Sequence, residues 1–406
     1  MTKSYLPNSD DKGIRLVCLV ANLGSALVEL RLRLPLGRWA AQNGGCVRII
    51  SIYEFTPADL GWGDIFVFQR DSNQYVLALI KFLRSHGKKI VFEIDDLLTE
   101  LPPFLSHHVA LIANKFYLVE SLQQADVVTV TTPRLGKELS VYNQNIRCVP
   151  NCSESLPNEC AHHHAVPSHE VSLIVASSDK VLVDFLVPAL TLAQEKLSVN
   201  IVAIGPIGNY FSKKGLNVIK TRIMPYAVFK SYVASIDNGI GLIPLDESLF
   251  SSCKSPIKYF DYTVAGIPSI CSNVPPYSDH IVNGRNGILV ENTTDSLYSA
   301  IESLVLSHSM RSRITESAIA YVHNNYGWDT AVNAWNTVIS TLDPHIPLIR
   351  GETQYLYFKH RMGIKININK LYWVAKSIIS PASYLIVYKI FKSYGIRGLI
   401  NRIRRS

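Results

Sequence analysis

The chain has 406 residues, 48% of them hydrophobic, and a formal net charge of +8. That length favours two or three domains over one core, and that hydrophobic share excludes disorder by composition. The charge is not a nucleic-acid signature: residues 350–406 hold 12 of the 40 Lys/Arg and one of the 32 Asp/Glu, a balance of +11 that leaves −3 for residues 1–349.

Taken in chain order, the polar start MTKSYLPNSDDKG lacks an apolar secretory core. The apolar run Ile14 to Ala21 then ends in Asn22-Leu23-Gly24, the pattern of a buried parallel strand feeding a turn. A helix is expected through Ala41, then strands over Val47 to Ile52 and Ile65 to Gln69, a helix over Gln74 to Ser85, and a strand over Lys89 to Ile94 leading into Asp95-Asp96. A helix near Asn114 to Gln124, the strand Val127 to Thr131, a helix from Pro133 and the strand Ile146 to Val149 complete a first unit, 1–151. Residues 152–170, CSESLPNECAHHHAVPSHE, break this rhythm and read as a linker.

A second unit, 171–345, repeats the alternation. It has strands at Val171 to Ala176, Val199 to Ile204, Leu216 to Lys220 and Gly239 to Pro244, with helices at Val181 to Lys196 and Ala227 to Ile236. Alternating strands and helices predict an α/β fold with two doubly wound parallel sheets, one in each Rossmann-like domain. The tail 346–406 differs. Ile396, Leu399, Ile400 and Ile403 share one helical face among four arginines, so a basic amphipathic helix is expected, docked on an anionic membrane surface or on protein.

The segment Lys254 to Glu291 carries the densest chemistry. Ser255-Pro256 reads as a side-chain cap with proline at the first helical position, leaving backbone N–H groups and the positive helix end for a diphosphate. Lys258 and Asp261, three residues apart, share a face: a cation for phosphate and a carboxylate for two sugar hydroxyls, or simply a solvated ion pair. The helix is expected to stop at Gly266, before a strand from Pro268 to Ser272.

Ser255, Pro256, Lys258, Asp261, Tyr262, Gly266 and Pro268, followed by Asn283-Gly284, Asn286-Gly287 and Leu289-Val290, resemble the donor-binding segment of retaining GT-B glycosyltransferases, especially glycosyltransferase family 4 and its relatives in bacterial surface-polysaccharide synthesis. Asp126 before an apolar strand, Thr132 at a helix start, Val149-Pro150-Asn151 and a crossing-back helix over Trp328 to Leu342 extend the resemblance to about the first 345 residues. Two positions depart from it. Asp261 stands at the second glutamate of the family's Glu-x7-Glu pair, and Cys253 at the first.

The resemblance implies a metal-independent hexosyltransferase with no cofactor, taking a nucleotide-sugar donor and a glycan or lipid-linked acceptor. It assigns the ribose to Asp261, the departing phosphate to Lys258 and the helix start at Ser255-Pro256, and the base to Met224-Pro225; Tyr262 belongs to the same segment. Lys180 is a further phosphate candidate. Glu93, Asp95 and Asp96 lie at the edge where ligands gather in parallel sheets; Asp95 and Asp96 are catalytic candidates beside the acceptor or donor sugar, one of them orienting the attacking hydroxyl, although Asp96 equally suits a helix cap, and His107 and His108 after Pro102-Pro103 are candidates to face the cleft. Arg31 and Arg33 offer an acceptor-phosphate contact or a solvated helix face. His162-His163-His164, His169, Cys152 and Cys160 lack paired zinc-ligand spacing and read as flexible linker. Seven cysteines without a framework, and no apolar run long enough to span a bilayer, predict a cytoplasmic protein, peripheral at the inner face of the membrane. A non-catalytic GT-B subunit and a nucleotide-sugar epimerase are the competing readings.

Overall fold

The computed structural model describes residues 13–103, 112–154, 170–177 and 183–342. Lys180, His107, His108, the histidine cluster and the basic tail lie outside these residues. Six strands form a first parallel sheet in the order β2-β1-β3-β4-β5-β6: β1 (Arg15–Val20), β2 (Cys46–Ser51), β3 (Ile65–Gln69), β4 (Lys89–Ile94), β5 (Val127–Val130) and β6 (Ile146–Cys148). Six more form a second, in the order β12-β11-β10-β7-β8-β9: β7 (Val171–Ala176), β8 (Val199–Ile204), β9 (Ile219–Thr221), β10 (Gly239–Ile243), β11 (Ser269–Ser272) and β12 (Ile288–Val290).

The helices between them are α1 (Leu34–Asn43), α2 (Pro57–Trp62), α3 (Gln74–Ser85), α4 (Lys115–Gln124), α5 (Pro133–Leu139), α6 (Val183–Lys196), α7 (Ile207–Lys213) and α8 (Tyr226–Ala234). They continue with α9 (Leu249–Ser252), α10 (Ile257–Val264), α11 (Tyr277–His280), α12 (Thr294–Leu306), α13 (His308–Tyr326) and α14 (Trp328–Ser340).

Helices cover both faces of each sheet, which is why the central strands read as unbroken apolar runs. The two-residue side-chain period sorts β1 cleanly. Val17 and Leu19 join the core containing Val76 and Leu79 of α3, whereas Leu16, Cys18 and Val20 face Trp39 of α1 and Trp335 of α14. Helix α14 therefore belongs to the second unit by sequence and to the first by packing. Its Trp335 Nε1 donates to the Arg31 carbonyl at 3.2 Å, and Trp39 Nε1 donates to Asn336 Oδ1 at 3.1 Å.

Strand order reverses between β7 and β10, because β8 and β9 extend one way and β10 the other. Ligand crevices in open α/β sheets form beyond the strand C-termini at such a reversal. Helices α9 and α10 follow β10 directly at that place. Gly241 in β10 sets the depth of α10: a Cβ there would collide with the Tyr262 ring, which lies fully buried on the strand. Tyr259 Oη donates to the Asn286 carbonyl at 2.8 Å, and Asn286 Oδ1 accepts from Val282 N at 2.7 Å, so the paired Asn-Gly turn clamps the other side of the helix. Gly284, at φ 77°, supplies the left-handed residue of that turn.

Candidate functional site

Helix α10 starts one residue later than the cap-and-proline pattern predicts. Pro256, not Ser255, occupies the N-cap, and no side chain caps the helix. Proline has no side-chain acceptor, so the first N–H groups keep their affinity for an anion. The Ser255 hydroxyl is sequestered, with no hydrogen-bond partner among the described residues. Both residues border a cavity of about 640 Å³ between the domains. Its first-domain wall is Thr131, Thr132, Arg134 and Lys137 with Pro150 and Asn151; Phe260, Asp279, His280 and Tyr326 close it from the second domain. The rings of Phe260 and Tyr326 stack with centroids 4.3 Å apart. The His280 imidazole is pushed below its ordinary pKa by burial, which keeps it neutral near pH 7.

The donor candidates within α10, Lys258, Asp261 and Tyr262, do not border this cavity. Lys258 is half-buried. Asp261 points inward at 5% exposure, and its Oδ1 accepts from the Ser153 hydroxyl and the Tyr226 hydroxyl, each at 2.7 Å. Lys230 Nζ donates to Ser153 Oγ at 3.0 Å and to the Glu154 carbonyl, so one serine bridges ammonium and carboxylate. Burial raises the Asp261 pKa against the lowering effect of Lys230, Tyr226 and Ser153, and burial also lowers the Lys230 pKa. The expected solvated face is therefore a desolvated network. Met224 is half-buried and Pro225 exposed just before α8, the helix that carries Tyr226 and Lys230. Tyr262 is fully buried core.

Cys253, the position of the missing carboxylate, has no exposure. With Phe250 it enters the apolar core of the first domain, and its carbonyl accepts from Thr132 Oγ1 at 2.9 Å. The position is thus an apolar plug between domains. The adjacent Lys254 reaches Asp96 at 3.3 Å across the cleft. Asp95 is 7% exposed and pairs with Arg70, whose Nη1 lies 3.0 Å from Oδ1. Burial pushes the Asp95 carboxyl up to about 6, opposed by Arg70 and reinforced by Asp96 and Glu93.

Glu93 does not join these two aspartates at the cleft edge. It is completely buried and pairs with Arg31 at 2.8 Å, while Gln69 Nε2 donates to its second oxygen at 3.1 Å. Arg31 is accordingly neither a solvated helix residue nor an acceptor-phosphate contact. Its Nη1 donates to the Val149 carbonyl at 2.6 Å and to Asn151 Oδ1 at 3.1 Å. Arg33 pairs with Glu29 at 3.0 Å. Among the described residues, no three His, Cys, Asp or Glu side chains are grouped to hold a metal, and no helix is long and apolar enough to cross a membrane.

Ser153, Tyr226, Lys230, Lys254 and Arg70 were not singled out by sequence. Arg70 left one signal, a cation directly after the strand IFVFQ; its φ of 42° is a left-handed conformation uncommon for a residue other than glycine.

No family model matches the chain, and no curated protein matches it. Solved structures do. Sucrose-phosphate synthase from Thermosynechococcus elongatus superposes with a TM-score of 0.60 at 12% identity, covering 81% of this chain and 99% of that one. HepE of Anabaena in complex with UDP gives 0.57 at 13% identity, covering 81% and 100%. A protein described as a UDP-N-acetylglucosamine 2-epimerase from Listeria monocytogenes gives 0.52 at 12%, covering 83% and 100%. These likenesses show the architecture: two Rossmann-like domains in the GT-B arrangement.

Proposed function

We propose that the chain is a glycosyltransferase that takes a sugar from a nucleotide donor. The observation that carries this reading is the uncapped start of α10, which opens into a cavity walled by the C-terminal edges of both sheets. A helix N-terminus facing a protected interdomain space suits a diphosphate leaving group, whose growing charge must be neutralised as the glycosidic bond breaks. HepE was solved with UDP, so UDP is the first nucleotide to test.

In this reading Ser255, Pro256 and Lys258 hold the diphosphate, Met224 and Pro225 flank the base, and Lys180 adds a phosphate contact. Asp261 takes the ribose diol by exchanging the hydroxyls of Ser153 and Tyr226 for those of the sugar, one hydroxyl pair for another. Tyr262 fixes the helix without touching the donor. Asp95 and Asp96 adjoin the transferred sugar, and a carboxyl at about 6 suits Asp95 to accept a proton from an attacking hydroxyl near neutral pH. Retention of configuration, metal independence, a lipid-linked glycan acceptor, a role in polysaccharide synthesis and attachment of the basic tail to the cytoplasmic membrane face complete the proposal. They rest on the family resemblance and the tail's composition.

One observation favours a second reading, a non-catalytic GT-B subunit. Cys253 fills with apolar contact the place where the resemblance expects a carboxylate. Incubation with radiolabelled UDP- and GDP-sugars separates the two. Slow donor hydrolysis supports the transferase; complete inertness toward every donor supports the non-catalytic subunit or glycan-binding partner; absence of nucleotide binding removes the transferase. The Listeria neighbour shares the fold, so epimerisation is tested in the same assay by looking for an isomerised donor sugar.

A further inference from the structure

The cavity at the α10 start is lined by cations from the opposite domain. Arg134 and Lys137 lie three residues apart on α5, on one face, and both border the space into which α10 opens. Arg134 sits in the first turn of α5, where the helix dipole repels a positive charge. Its guanidinium reaches Asp279 of α11 at 3.2 Å, an ion pair across the cleft in which both side chains are nearly half exposed. Lys137 has no ion pair among the described residues. Thr132, the N-cap of α5, donates to the Cys253 carbonyl, so the two cations are held at fixed distance from the beginning of α10.

The same wall contains Asn151, 4% exposed, whose Oδ1 is occupied by Arg31 while its amide nitrogen is left to donate. With the orphaned Ser255 hydroxyl, that makes two polar groups on the cavity with hydrogen-bonding capacity left unused among the described residues.

We propose that Arg134 and Lys137 complete the diphosphate site from the first domain, and that Arg134 exchanges Asp279 for the ligand's phosphate when a nucleotide enters. This inference rests on the donor reading above and adds to it that the anion site is composite. Neither domain alone carries it, and Asp279 is the competing anion that holds the arginine in the empty cleft. An exposed pair of this kind is weak, so exchange costs little, whereas a phosphate offers a charge-assisted and forked contact in a partly enclosed space.

Calorimetric titration of the full chain with UDP and with uridine tests the proposal. Arg134→Ala and Lys137→Ala are each expected to weaken UDP binding by about tenfold and leave uridine unchanged. Asp279→Asn is expected to tighten UDP severalfold, again without effect on uridine. The fourth measurement is salt dependence, which should be steeper for wild type than for either alanine variant. Wild-type UDP affinity in both alanine variants, or equal losses for UDP and uridine, overturns the composite site and leaves the donor reading standing. A wild-type chain that binds neither molecule overturns both.

Discussion

Two buried polar clusters grip residues 151–153, at the junction of the first unit with the linker, from opposite domains, and they are built on different principles. In the first domain Arg31 and Glu93, at 1% and 0% exposure, form a direct ion pair that also holds Asn151. In the second, Asp261 meets its cation Lys230 through the hydroxyl of Ser153. Asn151 and Ser153 flank Cys152, itself fully buried, so consecutive residues of one strap are fastened by separate domains. The ion pair is all charge, and neither partner tolerates loss of the other. The serine bridge spreads its charge over hydroxyls that a ligand's hydroxyls can replace. Rigid anchorage is therefore expected on the first-domain side and exchangeable contacts on the second.

Breaking the stronger cluster should have the largest effect. Arg31→Met leaves the Glu93 carboxyl without its cation in the core, at a cost of about 3–5 kcal/mol. That corresponds to a fall in Tm of roughly 10 °C for a unit of this size, readable by calorimetry. Because Arg31 Nη2 lacks a partner among the described residues, the double replacement Arg31→Met with Glu93→Leu is expected to recover most of the loss. A single variant with native Tm would show that the cluster is not an ion pair in solution.

The sequence made the scaffold readable and these clusters unreadable, for separate reasons. Buried parallel strands such as IFVFQ announce themselves locally, and the expected strands coincide with the observed ones to within one or two residues, apart from the longer expectation for β9. Arg31 was misread because its partners Glu93, Val149 and Asn151 are distant in sequence, and no local spacing joins them to the π-helical segment Glu29–Arg33 that carries it. Asp261 was located correctly on α10, yet its partners come from 153, 226 and 230, and no local spacing joins those positions. Cys253 read as a vacancy because only tertiary packing shows Phe250 beside it in the opposite domain's core.

Weakening the second cluster should matter less. Asp261→Ala leaves the Ser153 and Tyr226 hydroxyls without their acceptor and the Lys230 ammonium without the carboxylate it meets through Ser153, costing about 2–3 kcal/mol. Faster amide exchange at Ser153, whose N–H donates to the Tyr326 carbonyl at 3.1 Å, would localise the damage to the strap. Native exchange at that amide would show that Asp261 does not hold it. Asp261→Asn keeps one acceptor oxygen and should fall between wild type and alanine.

Acid should sharpen a third contrast, between these grips and the cleft. Asp95 is raised from 3.8 to about 6, so the folded chain binds its proton more tightly than the unfolded chain does. Stability is then highest below about pH 4 with respect to this group and falls as pH rises toward 6, by on the order of 2 kcal/mol. Asp261 and Asp71 are also raised by burial and contribute with the same sign. Asp95→Asn should therefore flatten the stability profile between pH 4 and 6 without abolishing its slope. Denaturant midpoints measured across that range decide it, and an unaltered slope would mean that Asp95 ionises normally.

The smallest expected effect is the most discriminating. Tyr226→Phe removes one of the two hydroxyls on Asp261 Oδ1 and keeps the ring, so its stability cost should be only about 1 kcal/mol. If the hydroxyl is merely structural, nucleotide affinity is unchanged. If it is a stand-in that the ribose must displace, its loss removes a competitor and leaves the carboxylate with an unfilled acceptor site. UDP should then bind more tightly to the phenylalanine variant while the empty chain becomes slightly less stable. A destabilised chain with improved affinity is hard to obtain by general loosening, which lowers the population of the binding-competent state. Opposite signs in calorimetric affinity and Tm would thus distinguish an exchangeable grip from a rigid one, whereas parallel losses would place Tyr226 with Arg31 as a fixed anchor.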